Sequence, residues 1–328
     1  MHWIRSFSKL IFILLFMTAG LELALQGAHA VHLALQPPAK LPHPGAPVIL
    51  CAGDSHTFGV KVPAEQSYPA QLQTLLDQHG FVFNVVNAGI PGENTSELRR
   101  LLPGLLQRYH PGVVVILCVV NNEWNRTDIA WSDFEDGELR QGIRSWPKRL
   151  WYGALGSLRT VRLVTYGWNQ IGYWRERQEM GMDHEGEKYF HRQDHYGRLD
   201  TLNHILDRGR RDLTAIVRLV ESAGAQPIFM TYAGQPFSPM GGANAALRTR
   251  AQSLGVPLVD NDAVILSRLV RPDGTLDQAT HDRLFLTEPM ETHLAGPGYA
   301  VVARNVFEMM LKQNLIKAPA GASLPPAR

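Results

Sequence analysis

Ser55 lies where a buried segment gives way to a turn. Pro47-Val48-Ile49-Leu50-Cys51-Ala52 is apolar, and Gly53-Asp54-Ser55-His56-Thr57 follows it directly. A strand that ends in Gly-Asp-Ser lifts a hydroxyl to the carboxyl edge of a sheet, where open α/β folds collect their ligands. A serine alone is a poor nucleophile and needs a base and an anion-stabilising pocket. His293, far downstream, could serve as the base. Asn87-Ala88-Gly89 and Asn121-Asn122-Glu123 close two further apolar runs and could supply the pocket. The chemistry these residue types would support is acyl transfer.

The elements that must position them alternate. Pro47–Ala52 reads as the first strand and Pro69–Gln78 as a helix, with Leu72, Leu75 and Leu76 at helical spacing and His79-Gly80 as its stop. Phe81–Val86 is a second strand and Ser96–Tyr109 a second helix, with Pro103 a place for a kink. Val113–Val120 is continuously apolar, as a strand covered on both faces should be. Asp200–Ala223 is an amphipathic helix, Gln226–Tyr232 a strand, Ala245–Leu254 a helix, Val256–Val259 a short strand and Pro297–Leu315 a closing helix. Strands alternating with helices predict a parallel, doubly wound sheet. Between Trp124 and Gly197 the rhythm stops, and six of the seven tryptophans fall there. A segment that long, opening from the third strand, reads as an insertion over the site, with helices at Gly156–Tyr173 and Arg175–Lys188. Its aromatics could form a wall for an acyl chain or sugar ring, or simply pack on one another.

Four blocks in this order resemble the GDSL/SGNH hydrolase family: Gly53-Asp54-Ser55, Asn87-Ala88-Gly89, Val120-Asn121-Asn122-Glu123 and His293-Leu294-Ala295-Gly296-Pro297-Gly298-Tyr299. Thr57-Phe58-Gly59, Ser67-Tyr68-Pro69 and Pro91-Gly92-Glu93-Asn94-Thr95 extend the likeness, which is to the bacterial branch carrying an N-terminal membrane segment. The resemblance implies a flavodoxin-like three-layer α/β/α fold with the aromatic-rich helical insertion added. It implies Ser55 as nucleophile, His293 as base, and an oxyanion hole of the Ser55 and Gly89 N–H groups and the Asn122 side chain. Asn121 is the rival to Asn122, which is preferred because the acidic Glu123 follows it. Trp124, next in the chain, is expected to line the pocket. His56, His184 and His281 are weaker candidates for the base. Two departures stand out. Val120 occupies the family's glycine position, and Met290 replaces the usual Asp three residues before the histidine. Glu291 is the nearest substitute acid, one position out of register; Glu288 and Asp282 are further options.

Composition excludes some partners and locates the chain. Hydrophobic residues make up 45% of 328, enough for a sizeable core, and a formal charge of +2 without a dense basic cluster argues against nucleic acid. No Cys/His cluster has metal-ligand spacing, so neither a metal nor an organic cofactor is implied. Cys51 and Cys118 read as two buried reduced thiols, with a disulfide the alternative. Arg5 and Lys9 precede the apolar run Leu10–Leu21, which describes a signal peptide or membrane anchor within residues 1–30, with Ala28-His29-Ala30 a cleavage site. If uncleaved, this segment makes the membrane a partner. A Pro-rich linker (31–46), the hydrolase-like domain (47–316, insertion 124–197) and a disordered tail (317–328) complete the expectation. The function expected is a serine ester hydrolase outside the cytoplasm, periplasmic or anchored in the inner membrane facing the periplasm. Its substrate would be a small acyl ester or an O-acetylated glycan. An O-acyltransferase and a non-catalytic glycan-binding or assembly protein are the alternatives.

Overall fold

Val48–Gly53 (β1), Asn84–Gly89 (β2), Val113–Leu117 (β3), Gln226–Met230 (β4) and Leu258–Val259 (β5) form one sheet in the order β2-β1-β3-β4-β5. The structure, a computed structural model, describes residues 41–123, 199–234, 240–288 and 292–316, with scattered residues within 9–27 and 125–171. All four strand pairings are parallel. The doubly wound parallel sheet expected from the alternation is present. Parallel strands need crossovers that cover both faces, so the strands are buried through. Leu50, Ile116 and Phe229 are accordingly inaccessible to solvent.

The helices are Ser55–Phe58 (α1), Tyr68–Gln78 (α2), Thr95–Tyr109 (α3), Leu199–Ser222 (α4), Gly241–Leu254 (α5), Asn261–Leu269 (α6), Gln278–Leu284 (α7) and Gly296–Lys312 (α8). α8 packs on α2, and α4 packs on both α3 and α5. α3 carries a capping box, Asn94 accepting from the Glu97 N–H while Glu97 accepts from that of Asn94, and runs unbroken through Pro103. The register Gly53↔Gly89 and Gly53↔Leu117 brings the ends of three strands level at one edge.

The second strand is displaced from the expected 81–86 to Asn84–Gly89. Asn84, fully buried, donates to the His43 and Ala46 carbonyls and accepts from the His43 N–H, so its polar side chain is consumed in tying down the preceding segment. Phe81 packs edge-on against Phe307 instead of joining the ladder. The third strand ends at Leu117, before the expected Val120, because a 3₁₀ turn begins there, Val120–Glu123. α6 and α7 lie in a stretch for which the sequence pattern offered no element.

The chain divides into two compact units, 1–40 with 126–183, and 41–125 with 184–328. In the first, residues 16–27 are helical, and Glu22 accepts from the Thr160 N–H at 2.8 Å and hydroxyl at 2.9 Å. Among the described residues no helix is long and apolar enough to cross a membrane. Most of the expected signal or anchor segment, most of the aromatic insertion and the tail from 317 lie outside the described residues. Cys51 and Cys118 are free and buried, as the reduced-thiol reading has it, and burial pushes the Cys51 thiol up to about 12.

Candidate active site

Ser55 opens α1 immediately after β1. Asp54 caps this helix, its side chain accepting from the His56 N–H at 3.0 Å while its carbonyl accepts from Thr57 and Phe58. The Ser55 N–H lies in the first turn, where a helix has no acceptor for it. Gly89, at the end of β2, runs under this helix: a Cβ there would come within 2.3 Å of the Phe58 nitrogen. Its missing side chain therefore lets β2 and α1 pack.

His293 reaches the same edge from the far end of the chain. Its Nε2 is 2.8 Å from Ser55 Oγ across 238 residues of sequence. A short antiparallel contact fixes the loop that carries it. Leu286 N–H donates to the His293 carbonyl, Ala295 N–H to the Leu284 carbonyl, and Phe285 bridges Leu294. Leu294 and Phe285 are buried, so the histidine is held at the base while its ring stays half-buried at the surface.

Behind the pair is a polar frame that pattern reading missed. The Tyr232 hydroxyl donates to Asp54 Oδ2 at 2.6 Å and accepts from the Val119 and Val120 N–H groups at 2.8 and 3.1 Å. Desolvation raises the Asp54 carboxyl to about 7 despite these bonds, and raises the Tyr232 hydroxyl as well. Tyr232 could have been suspected as an aromatic with a polar tip at the carboxyl end of an apolar strand. Glu93 is the other omission. It is 2% exposed, neither carboxyl oxygen has a hydrogen bond among the described residues, and desolvation foremost, with the Glu97 and Asp54 charges, raises it to about 9.

The expected oxyanion donors and the substitute acids have the following partners. The Gly89 N–H donates to Asn87 Oδ1 at 3.0 Å, so this amide is already engaged. Asn122 bonds into the seam of α3 and α4. Its Nδ2 donates to Thr95 Oγ1 at 2.8 Å, its Oδ1 accepts from the Thr95 N–H at 3.0 Å, and Gly209 of α4 lies against it. Asn121 instead donates to the Glu93 carbonyl at 2.9 Å. Successive residues of a 3₁₀ turn point about 120° apart, so neighbouring asparagines serve different sites. Of the substitute acids, Glu288 pairs with Lys61 and Asp282 with Gln278 and His281. His281 stacks on Phe285. Glu291, Met290, Trp124 and His184 lie outside the described residues.

Ile90-Pro91-Gly92-Glu93 forms a turn closed by Glu93 N–H to the Ile90 carbonyl, with Gly92 at φ 81°. That is the left-handed value a type II turn requires at its third residue, with Pro ahead of it. Ile90 N–H donates to the Gly53 carbonyl at 2.8 Å, which places the turn beside the end of β1. The Gly92 N–H has no acceptor among the described residues.

The GDSL-like lipase/acylhydrolase family model matches residues 51–301. An arylesterase from Vibrio mimicus is 37% identical over 68 residues, 21% of this chain and 34% of that protein, so the match spans about a third of that relative's length. Among solved structures, a lipase/acylhydrolase from Enterococcus faecalis superposes with a TM-score of 0.48 at 13% identity, covering 83% of this chain and 98% of that one. A putative lipolytic protein of the G-D-S-L family from Desulfitobacterium hafniense gives 0.45 at 13% identity, covering 80% and 98%.

Proposed function

This chain belongs to the GDSL-like lipase/acylhydrolase family, and we propose that it hydrolyses small acyl esters with Ser55 as nucleophile and His293 as base. The observation that carries this reading is the 2.8 Å contact between His293 Nε2 and Ser55 Oγ. That is the reach a general base needs. His293 takes the hydroxyl proton as Ser55 Oγ attacks the ester carbonyl. The tetrahedral oxyanion collapses, the alcohol leaves with the proton from His293, and water repeats the sequence to release the acid. We place the oxyanion at the Ser55 N–H and the Ile90–Glu93 turn, with Gly92 N–H as second donor and the Asn121 amide beside it. Gly89 and Asn122 are then supports.

An acetyl group on a cell-envelope or secreted glycan fits a site with this small catalytic set, outside the cytoplasm in keeping with Arg5, Lys9 and the apolar run that follows. The test is a fluorophosphonate probe together with p-nitrophenyl acetate turnover. The probe should attach at Ser55. Ser55→Ala should lower turnover at least about 10⁴-fold while the thermal melt is unchanged. Labelling elsewhere, or turnover persisting in that variant, rejects the assignment. Turnover that appears only with an acceptor sugar would instead make the protein a transferase.

A further inference from the structure

His56 follows the serine directly, yet its ring is not turned to it. It lies against the ring of His293, centroids 4.3 Å apart and planes 20° apart, and Tyr232 meets it edge-on at 5.1 Å and 77°. We propose that His56 is a positioning residue whose ring face holds the His293 imidazole in line with Ser55. This rests on the Ser55–His293 reading above.

Each part of the stack has a different freedom. His56 is 4% exposed, and its backbone N–H is held by Asp54 Oδ1. Tyr232 is fully buried, and its hydroxyl is fixed by Asp54 and two amides. His293 is half-buried on a loop, and the torsion that aims its Nε2 is broad and soft. A rigid ring at stacking distance narrows that torsion, so the Nε2–Oγ contact is met more of the time. Met290 stands three residues before His293, where the resembled family carries an Asp.

The test compares His56→Phe, His56→Leu and His56→Asn in the full chain. Each is measured by kcat and KM on p-nitrophenyl acetate and by the rate of fluorophosphonate labelling at Ser55. His56→Phe keeps the ring and should hold kcat and labelling within about 3-fold of wild type. His56→Leu and His56→Asn should lose about 10-fold in both, with KM within about 2-fold. Wild-type rates in His56→Leu would overturn the proposal. So would rescue by Asn and not by Phe, which assigns the role to a ring hydrogen bond. Circular dichroism monitors folding; should the Leu variant not fold, the Phe–Asn contrast decides. Ser55→Ala and His293→Ala run alongside. Wild-type turnover in those two defeats the catalytic reading itself, whereas their silence beside an unimpaired His56→Leu defeats only the role of His56.

Discussion

Two polar clusters stand near the carboxyl edge of the sheet, and they are built in opposite ways. In the seam of α3 and α4, Asp212 is inaccessible to solvent and accepts from Thr95 Oγ1, Ser96 Oγ and Arg99 Nη1 at 2.8–3.1 Å. Thr95 and Asn122 lock to each other by two further bonds. Around Ser55 the bonding is sparser: the hydroxyl has one contact to an imidazole, and the Gly92 amide has no acceptor among the described residues. Buried charge has to be saturated with partners or it destabilises the fold. A reacting hydroxyl has to stay open to an incoming group. Both clusters are made of residues that catalysis commonly uses, so residue type alone does not separate scaffold from site; the state of their hydrogen bonds does.

The contrast can be tested at four points, taken from the largest effect down. Asp212→Ala strands a buried Arg99 and should cost about 3–5 kcal/mol in urea unfolding. The folded fraction should still take a fluorophosphonate at Ser55. Loss of labelling with stability intact would merge the two clusters. Asn121→Ala and Asn122→Ala should then diverge. The first is expected to lower kcat about 10²-fold as a donor near the oxyanion, and the second to cost about 1–3 kcal/mol of stability with kcat within about 10-fold. A reversed pattern returns Asn122 to the oxyanion pocket.

The third point is pH. Asp54 and Glu93 are held above their ordinary values, at about 7 and about 9, so the native state keeps protons that the unfolded chain releases. Their contribution to stability is present at low pH and fades as pH rises through the folded values. The urea midpoint should fall from pH 5 to pH 9, and Glu93→Gln should flatten the part between 7 and 9. An unchanged slope in that variant would mean that Glu93 is not a buried acid. Smallest of all, Lys61→Ala breaks an exposed ion pair with Glu288 between the loop after α1 and the loop that carries His293. Stability should move by less than about 0.5 kcal/mol and kcat by less than about 2-fold. A larger drop in kcat would make that pair part of the site.

Local pattern carried much of the fold. β1 was read as 47–52 and is Val48–Gly53; the second helix was read as 96–109 and is Thr95–Tyr109. These boundaries follow from apolar runs and capping residues, which act over one turn or one strand. β2 was misplaced because Asn84 looks polar in sequence and is buried by partners that lie 38 to 41 residues earlier. At the site, Ser55 and His293 were legible from their flanking glycines and apolar runs. The polar frame of Tyr232, the buried carboxyl of Glu93 and the separate partners of Asn121 and Asn122 were not, since each depends on where a side chain points after folding.

What the amino-acid order determined, then, was which segments become buried strands and helices and which turn holds a hydroxyl at a strand's end. Those choices are made by solvation and backbone sterics among near neighbours in the chain. What tertiary structure decided was the meeting of an imidazole with that hydroxyl across 238 residues, the stack of His56 on that imidazole, and the division of two adjacent asparagines between the Glu93 carbonyl and Thr95. Such contacts depend on strand order, on register and on the roughly 120° step of a single 3₁₀ turn, distances and angles that exist only once the sheet has closed.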